Sequence, residues 1–107
     1  MLPLDEQFYR DDHLFVHLRH EVVMLDGEAI TLTRIEYRLL ALLLEHAGEV
    51  VPRAIIVTQL WAAQPKTRTP WLALHMGGLR KKLGVYGDQH IEFVIGVGYR
   101  FRPLPRP

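Results

Sequence analysis

Thr69-Pro-Trp-Leu-Ala-Leu-His-Met-Gly-Gly-Leu-Arg-Lys-Lys-Leu83 is the stretch on which the fold turns. Thr69 can cap a helix, and Pro70 suits its first turn, where one N–H lacks a partner in any case. Leu72, Met76, Leu79 and Leu83 recur at spacings of four, three and four, so they line one helical face. The other side carries Trp71, Leu74, His75, Gly77, Gly78, Arg80, Lys81 and Lys82, and Gly84 can end the helix in a left-handed conformation. One face is built to anchor in a core. The other offers an aromatic ring, an imidazole and three cations to a negative partner. An ordinary amphipathic helix with a solvated basic end has the same pattern, so the rest of the chain has to decide.

Towards the amino terminus, residues 63–68 are polar and contain a proline, which marks a loop. Before it, Arg53 to Ala62 predicts a helix with Ile56 and Leu60 facing inward and Trp61 at its end. Val50-Val51-Pro52 reads as a short extended connector. Thr33-Arg-Ile-Glu36 is a capping box that opens a further helix running to about Ala47, with Tyr37, Leu40, Leu43 and Leu44 as core and Gly48 as its stop. From Phe8 to Leu32 the signals are extended. Leu14, Val16 and Leu18 alternate on one face, and Asp26-Gly27 is a hairpin pair suited to left-handed backbone. Towards the carboxy terminus, a turn-rich stretch to Gln89 leads into two strands between Ile91 and Phe101, folded about Gly96-Val97-Gly98. The ends, 1–6 and 103–107, carry no structural signal.

The 107 residues suffice for one domain, expected to be 1–107 with an ordered core of about 7–102. The absence of cysteine excludes a disulfide frame, a thiolate metal site and a cysteine nucleophile. No signal peptide is visible, and the longest apolar run, Leu39 to Leu44, is too short to span a bilayer, so a cytoplasmic protein with no membrane partner is expected. The net charge of +1 hides an asymmetry. Residues 1–48 hold four Arg/Lys against nine Asp/Glu, whereas residues 49–107 hold nine against three. Only the second half is suited to face a polyanion.

Three helices followed by a β-hairpin make an α+β winged helix-turn-helix, with an amino-terminal antiparallel sheet, a three-helix core and a carboxy-terminal wing. In such folds the third helix enters the major groove of DNA. The chain also resembles the output domain of OmpR/PhoB-type response regulators, most closely the KdpE-like branch. The resemblance rests on L-T-R-I-E-Y-R-L-L at 32–40, H-A-G-E-V at 46–50 and Q-L-W at 59–61. It continues in H-M-G-G-L-R-K-K-L at 75–83 and G-V-G-Y-R-F at 96–101. Matches in order over nearly the whole chain are far more specific than any one motif.

The resemblance implies a transcriptional regulator of a two-component phosphorelay that binds double-stranded promoter DNA, with helix 70–83 in the groove and hairpin 91–101 as wing. It places phosphate contacts on Arg53, Trp61, His75, Arg80 and Tyr99. Guanidinium, indole, imidazole and phenol all donate to phosphate oxygens, which fixes register without reading sequence. Trp61 and Tyr99 also suit core or sheet packing. Lys81, Lys82 and Arg100 add positive field. The base-reading positions depart from the family. Many members carry arginines where Gly77 and Gly78 stand, an acidic or polar residue where Ala73 stands, and Thr and Arg where Phe93 and Ile95 stand. Glycines inside a helix cost about 1 kcal/mol each relative to alanine. One reading is that Gly77 and Gly78 let the backbone sit deep in the groove, with Trp71 and Leu74 touching thymine methyls or sugars. The other is that sequence demand is relaxed there. The resemblance further implies a receiver domain and sensor kinase upstream, dimers on direct repeats, and RNA polymerase contact through loop 62–69.

No enzyme and no cofactor are expected. His13, His17 and His20 suggest a metal site, but strand alternation puts 13 and 17 on one face and 20 on the other, without a completing carboxylate. Gly96-Val97-Gly98 is not followed by a helix and so fails the dinucleotide test. The rival is a degenerate winged helix whose apolar wing, Phe93-Val-Ile95, docks a protein. Exposed apolar residues there favour that rival; a positive stripe from Arg53 through Arg80 to Arg100 favours DNA.

Overall fold

The computed structural model describes residues 7–61 and 69–104, which form two compact units. The first comprises residues up to 31 with those from 103 onward. It is a four-stranded antiparallel meander of β1 (Phe8–Arg10), β2 (Leu14–His17), β3 (Val22–Leu25) and β4 (Glu28–Ala29), in that spatial order. Asp26 and Gly27 both have positive φ, 51° and 82°, as the right-handed twist of a tight hairpin requires. Leu14 and Val16 are buried, while Leu18 lies beyond the end of β2. Asp11 is held by the Tyr9 hydroxyl at 2.5 Å and the Leu14 N–H at 2.8 Å. The histidine expectation is corrected here. β2 ends at His17, so strand alternation does not reach His20; its ring lies against that of His17, centroids 4.6 Å apart.

The second unit, 32–102, begins with α1 (Arg34–Glu45). Its capping box is formed: the Thr33 hydroxyl accepts from the Glu36 N–H at 3.1 Å, and Glu36 Oε1 accepts from the Thr33 N–H at 2.9 Å. The helix stops at Glu45, and Gly48 follows at φ 87°. α2 (Arg53–Leu60) is short and has no cationic residue in its last turn. Arg38 of α1 supplies the charge instead, donating to the carbonyls of Gln59 at 3.1 Å and Leu60 at 3.2 Å. α3 (Thr69–Lys82) buries Leu72, Met76, Leu79 and the following Leu83, against a core with Leu39, Leu40, Leu43, Ile56, Ile91 and Phe101. Each such side chain contributes roughly 1.5–3 kcal/mol by leaving water.

Several expectations fail in this unit. The stretch after Gly84 is a fourth helix, α4 (Val85–His90), rather than turns. Its Gly87 reads as a turn residue, but a Cβ there would meet the backbone of Arg80, so the glycine serves close helix packing. Val50–Pro52 is likewise more than a connector. It is a strand, β5, paired with β7 (Gly98–Phe101), which also pairs with β6 (Ile91–Val94), giving the sheet order β5-β7-β6. Gly98, read as part of the hairpin turn, begins β7, where a Cβ would run into the Val51 carbonyl.

Candidate nucleic-acid interface

The periodicity of α3 leaves one face with nothing to pack on in its own unit. Leu74 is 69% exposed and Trp71 56%, and Lys81 stands beside them in solvent. Gly77 shares that face, with open space where a side chain would be. Large apolar side chains left outside while Leu72, Met76 and Leu79 are buried mark a surface built for contact.

Each flank of this face is bounded by a different element. On the α1 side stands Glu36, whose carboxylate accepts from Lys82 Nζ at 2.7 Å as well as from the Thr33 N–H. Burial pushes the Glu36 carboxyl up, but the Lys82 ammonium and the Thr33 N–H and hydroxyl outweigh it and hold the group below its ordinary range. Gly78 lies directly against this carboxylate, and a Cβ there would collide with Glu36 Oε2. Gly77 and Gly78 therefore differ. The first is open to a partner, and the second makes room for a buried acid. Lys82 is likewise committed to Glu36 rather than held loose as positive field. On the α2 side, Trp61 and His75 lie with ring centroids 6.0 Å apart. On the α4 side, Arg80 Nη2 meets Asp88 Oδ1 at 2.6 Å.

The wing is set next to α2 by a backbone bond from the Arg53 N–H to the Val97 carbonyl, 2.9 Å, so Arg53 and the hairpin turn are neighbours. Tyr99 is buried, its ring 5.2 Å from that of Phe93. Arg100 faces Glu92 across β6 and β7, its Nε 2.8 Å from Glu92 Oε1. The wing thus carries one acid and one base, joined to each other, and its tip is apolar: Ile95 is 85% exposed, with Phe93 and Val97 also exposed.

The stripe from Arg53 through Arg80 to Arg100 is consequently broken by Asp88 and Glu92. Among the described residues of α2, α3 and the wing, Arg53 and Lys81 make no ion pair. The sequence reading missed Glu36, Asp88 and Glu92 as partners of Lys82, Arg80 and Arg100. Only for Glu92 was a signal within reach: the hairpin turns at 95–97, which aligns 92 with 100, whereas a turn at 96–98, as read from the sequence, does not. Loop 62–68 lies outside the described residues, as do the side chains of Thr69 and Pro70.

A family model described as transcriptional regulatory protein, C terminal, matches residues 27–101. The KDP operon transcriptional regulatory protein KdpE of Escherichia coli is 36% identical over 88 residues, which is 80% of this chain and 39% of that protein. The response regulator ArlR of Staphylococcus saprophyticus is 40% identical over 81 residues, 75% of this chain and 37% of its own length. The chain spans about two fifths of the length of these curated relatives. Among solved structures, the Thermotoga maritima OmpR/PhoB homolog DrrB matches with a TM-score of 0.81 at 26% identity, over 89% of this chain and 44% of that one. The Klebsiella pneumoniae RstA DNA-binding domain, solved in complex with the RstA box, matches with a TM-score of 0.80 at 25% identity, over 92% of this chain and all of that one.

Proposed function

The chain belongs to the family of OmpR/PhoB-type transcriptional regulatory protein carboxy-terminal domains, and from that premise we propose that it binds double-stranded promoter DNA as the output domain of a two-component response regulator. The supporting observation is the exposed Trp71–Leu74–Lys81 face of α3, backed by a buried face that holds the helix rigid. A helix presented this way enters the major groove, and the β6–β7 hairpin lies along the neighbouring backbone.

In this reading Arg53, His75 and Arg80 donate to phosphates, with Lys81 and Arg100 adding charge, and Trp61 and Tyr99 present their polar edges from packed rings. Leu74 and Trp71 touch thymine methyls or sugars, and Gly77 alone of the glycine pair permits close approach. The fuller arrangement follows the family: an upstream receiver and sensor kinase, dimers on direct repeats, RNA polymerase contact through loop 62–69, and a cytoplasmic site of action. No helix among the described residues is long and apolar enough to cross a membrane.

The test is fluorescence anisotropy with labelled duplexes. Lys81→Ala weakens binding about equally on all sequences, whereas Leu74→Ala changes which sequences are preferred. Wild-type behaviour from both variants would move the interface away from α3. The exposed Ile95 and Val97 support a second reading, in which the wing docks an apolar protein surface. That reading predicts that Ile95→Ser leaves DNA affinity untouched.

A further inference from the structure

Arg80, aimed at phosphate in the reading above, and Arg100, which adds charge in it, each already hold a carboxylate. Arg80 Nη2 lies 2.6 Å from Asp88 Oδ1, and Arg100 Nε lies 2.8 Å from Glu92 Oε1. Each acid comes from a neighbouring element, α4 in one case and the partner strand of the wing in the other. We infer that Asp88 and Glu92 set how tightly this domain holds DNA. Their oxygens occupy the guanidinium groups of Arg80 and Arg100, and phosphate oxygens take their place in the complex.

The chemistry supports exchange. A carboxylate and a phosphate both offer anionic oxygens to guanidinium N–H donors, and each acid here engages its arginine through one oxygen, so a phosphate oxygen can take its place. The Asp88 side chain is 85% exposed, so its carboxylate stays hydrated and its hold on Arg80 is weak. Release costs little, yet it subtracts from the affinity that a free arginine would give. Each acid also adds a negative charge beside the approaching backbone. Lys82 is the built-in contrast. Its partner Glu36 is 7% exposed and fixed by the α1 cap, so this cation stays with the protein.

The inference rests on the DNA-binding reading, and a double-mutant cycle separates the two. Anisotropy titrations of a mixed-sequence duplex over a salt series would compare wild type, Asp88→Asn, Arg80→Gln and the double variant, with thermal melts confirming that each folds. The Glu92→Gln and Arg100→Gln set repeats the comparison on the wing. Asp88→Asn is expected to tighten binding roughly two- to fivefold, the range set by a weak exposed pair, and to steepen the salt dependence. The steepening follows because the wild-type carboxylate, once released, recruits a cation and cancels part of the counterion release. In the Arg80→Gln background the same substitution is expected to give a smaller gain, that of removing one negative charge beside the backbone. An equal gain in both backgrounds would reduce Asp88 to a field effect and overturn the inference, as would no gain. A loss of affinity would overturn it too, by showing that Asp88 holds Arg80 in place for its contact. Binding by Asp88→Asn where wild type binds weakly supports both readings. No binding by any variant at low salt removes the DNA reading, and the inference with it.

Discussion

On one flank of α3, Lys82 lies 2.7 Å from Glu36; on the other, Arg80 lies 2.6 Å from Asp88. The separations are nearly equal and the surroundings are opposite. Glu36 is buried, closes the capping box of α1 and sits against the bare backbone of Gly78. Asp88 stands in water on a short helix. A buried acid with three polar partners cannot be released without leaving a charge unsatisfied, whereas a hydrated one can. The first pair therefore orients the helix, and the second is available to a ligand. Distance alone would have ranked them the same.

The contrast can be broken at several points. Glu36→Ala removes a cap and an ion pair together and is expected to destabilise the domain by about 2 kcal/mol, read as a lower urea midpoint. A loss below about 0.5 kcal/mol would mean that the buried pair does not orient α3. Acid should erase part of the same contribution. A carboxyl held below its ordinary value in the folded protein favours folding fully above the ordinary glutamate range, and the benefit is lost as pH falls through the folded-state value. The stability gap between wild type and Glu36→Gln should therefore narrow as pH drops below about 4. A gap that is flat with pH would contradict the assignment.

The glycines sharpen the comparison further. Gly77→Ala meets open space and should stabilise by about 1 kcal/mol through helix propensity. Gly78→Ala should gain less, because its methyl must displace the Glu36 carboxylate, and the shortfall should vanish in Glu36→Ala. Urea unfolding of the four variants decides it. The smallest effect is Asp88→Asn, expected to change stability by less than about 0.5 kcal/mol, as for other exposed pairs.

What sequence reading could reach divides along the same line. The buried stripe of α3, the Thr33–Glu36 box, the Asp26-Gly27 turn and the hairpin between Ile91 and Phe101 all depend on residues close together in the chain, and all are present, the last with its turn one residue earlier than Gly96-Val97-Gly98. Glu36 was legible as a cap and illegible as the neighbour of Gly78 and Lys82, because nothing local relates residues more than forty positions apart. Gly78 was consequently read as facing outward. Gly87 and Gly98 look like turn residues in a string, yet each is where another backbone comes too close for a Cβ. α4 was missed for that reason. Pairing of β5 with β7 joins Val51 to Tyr99, again beyond local pattern. Of the α3 surface, the exposed Trp71 and Leu74 were foreseen and the acids that hold its cations were not.

The most direct measurement is the salt dependence of duplex binding for wild type, Arg80→Gln and Lys82→Gln. A log–log slope between about −3 and −5 is expected for wild type, shallower for Arg80→Gln by less than about one, because the released Asp88 carboxylate cancels part of that contact's counterion release, and unchanged for Lys82→Gln. A flat wild-type response, or equal losses of slope in both variants, would contradict the account.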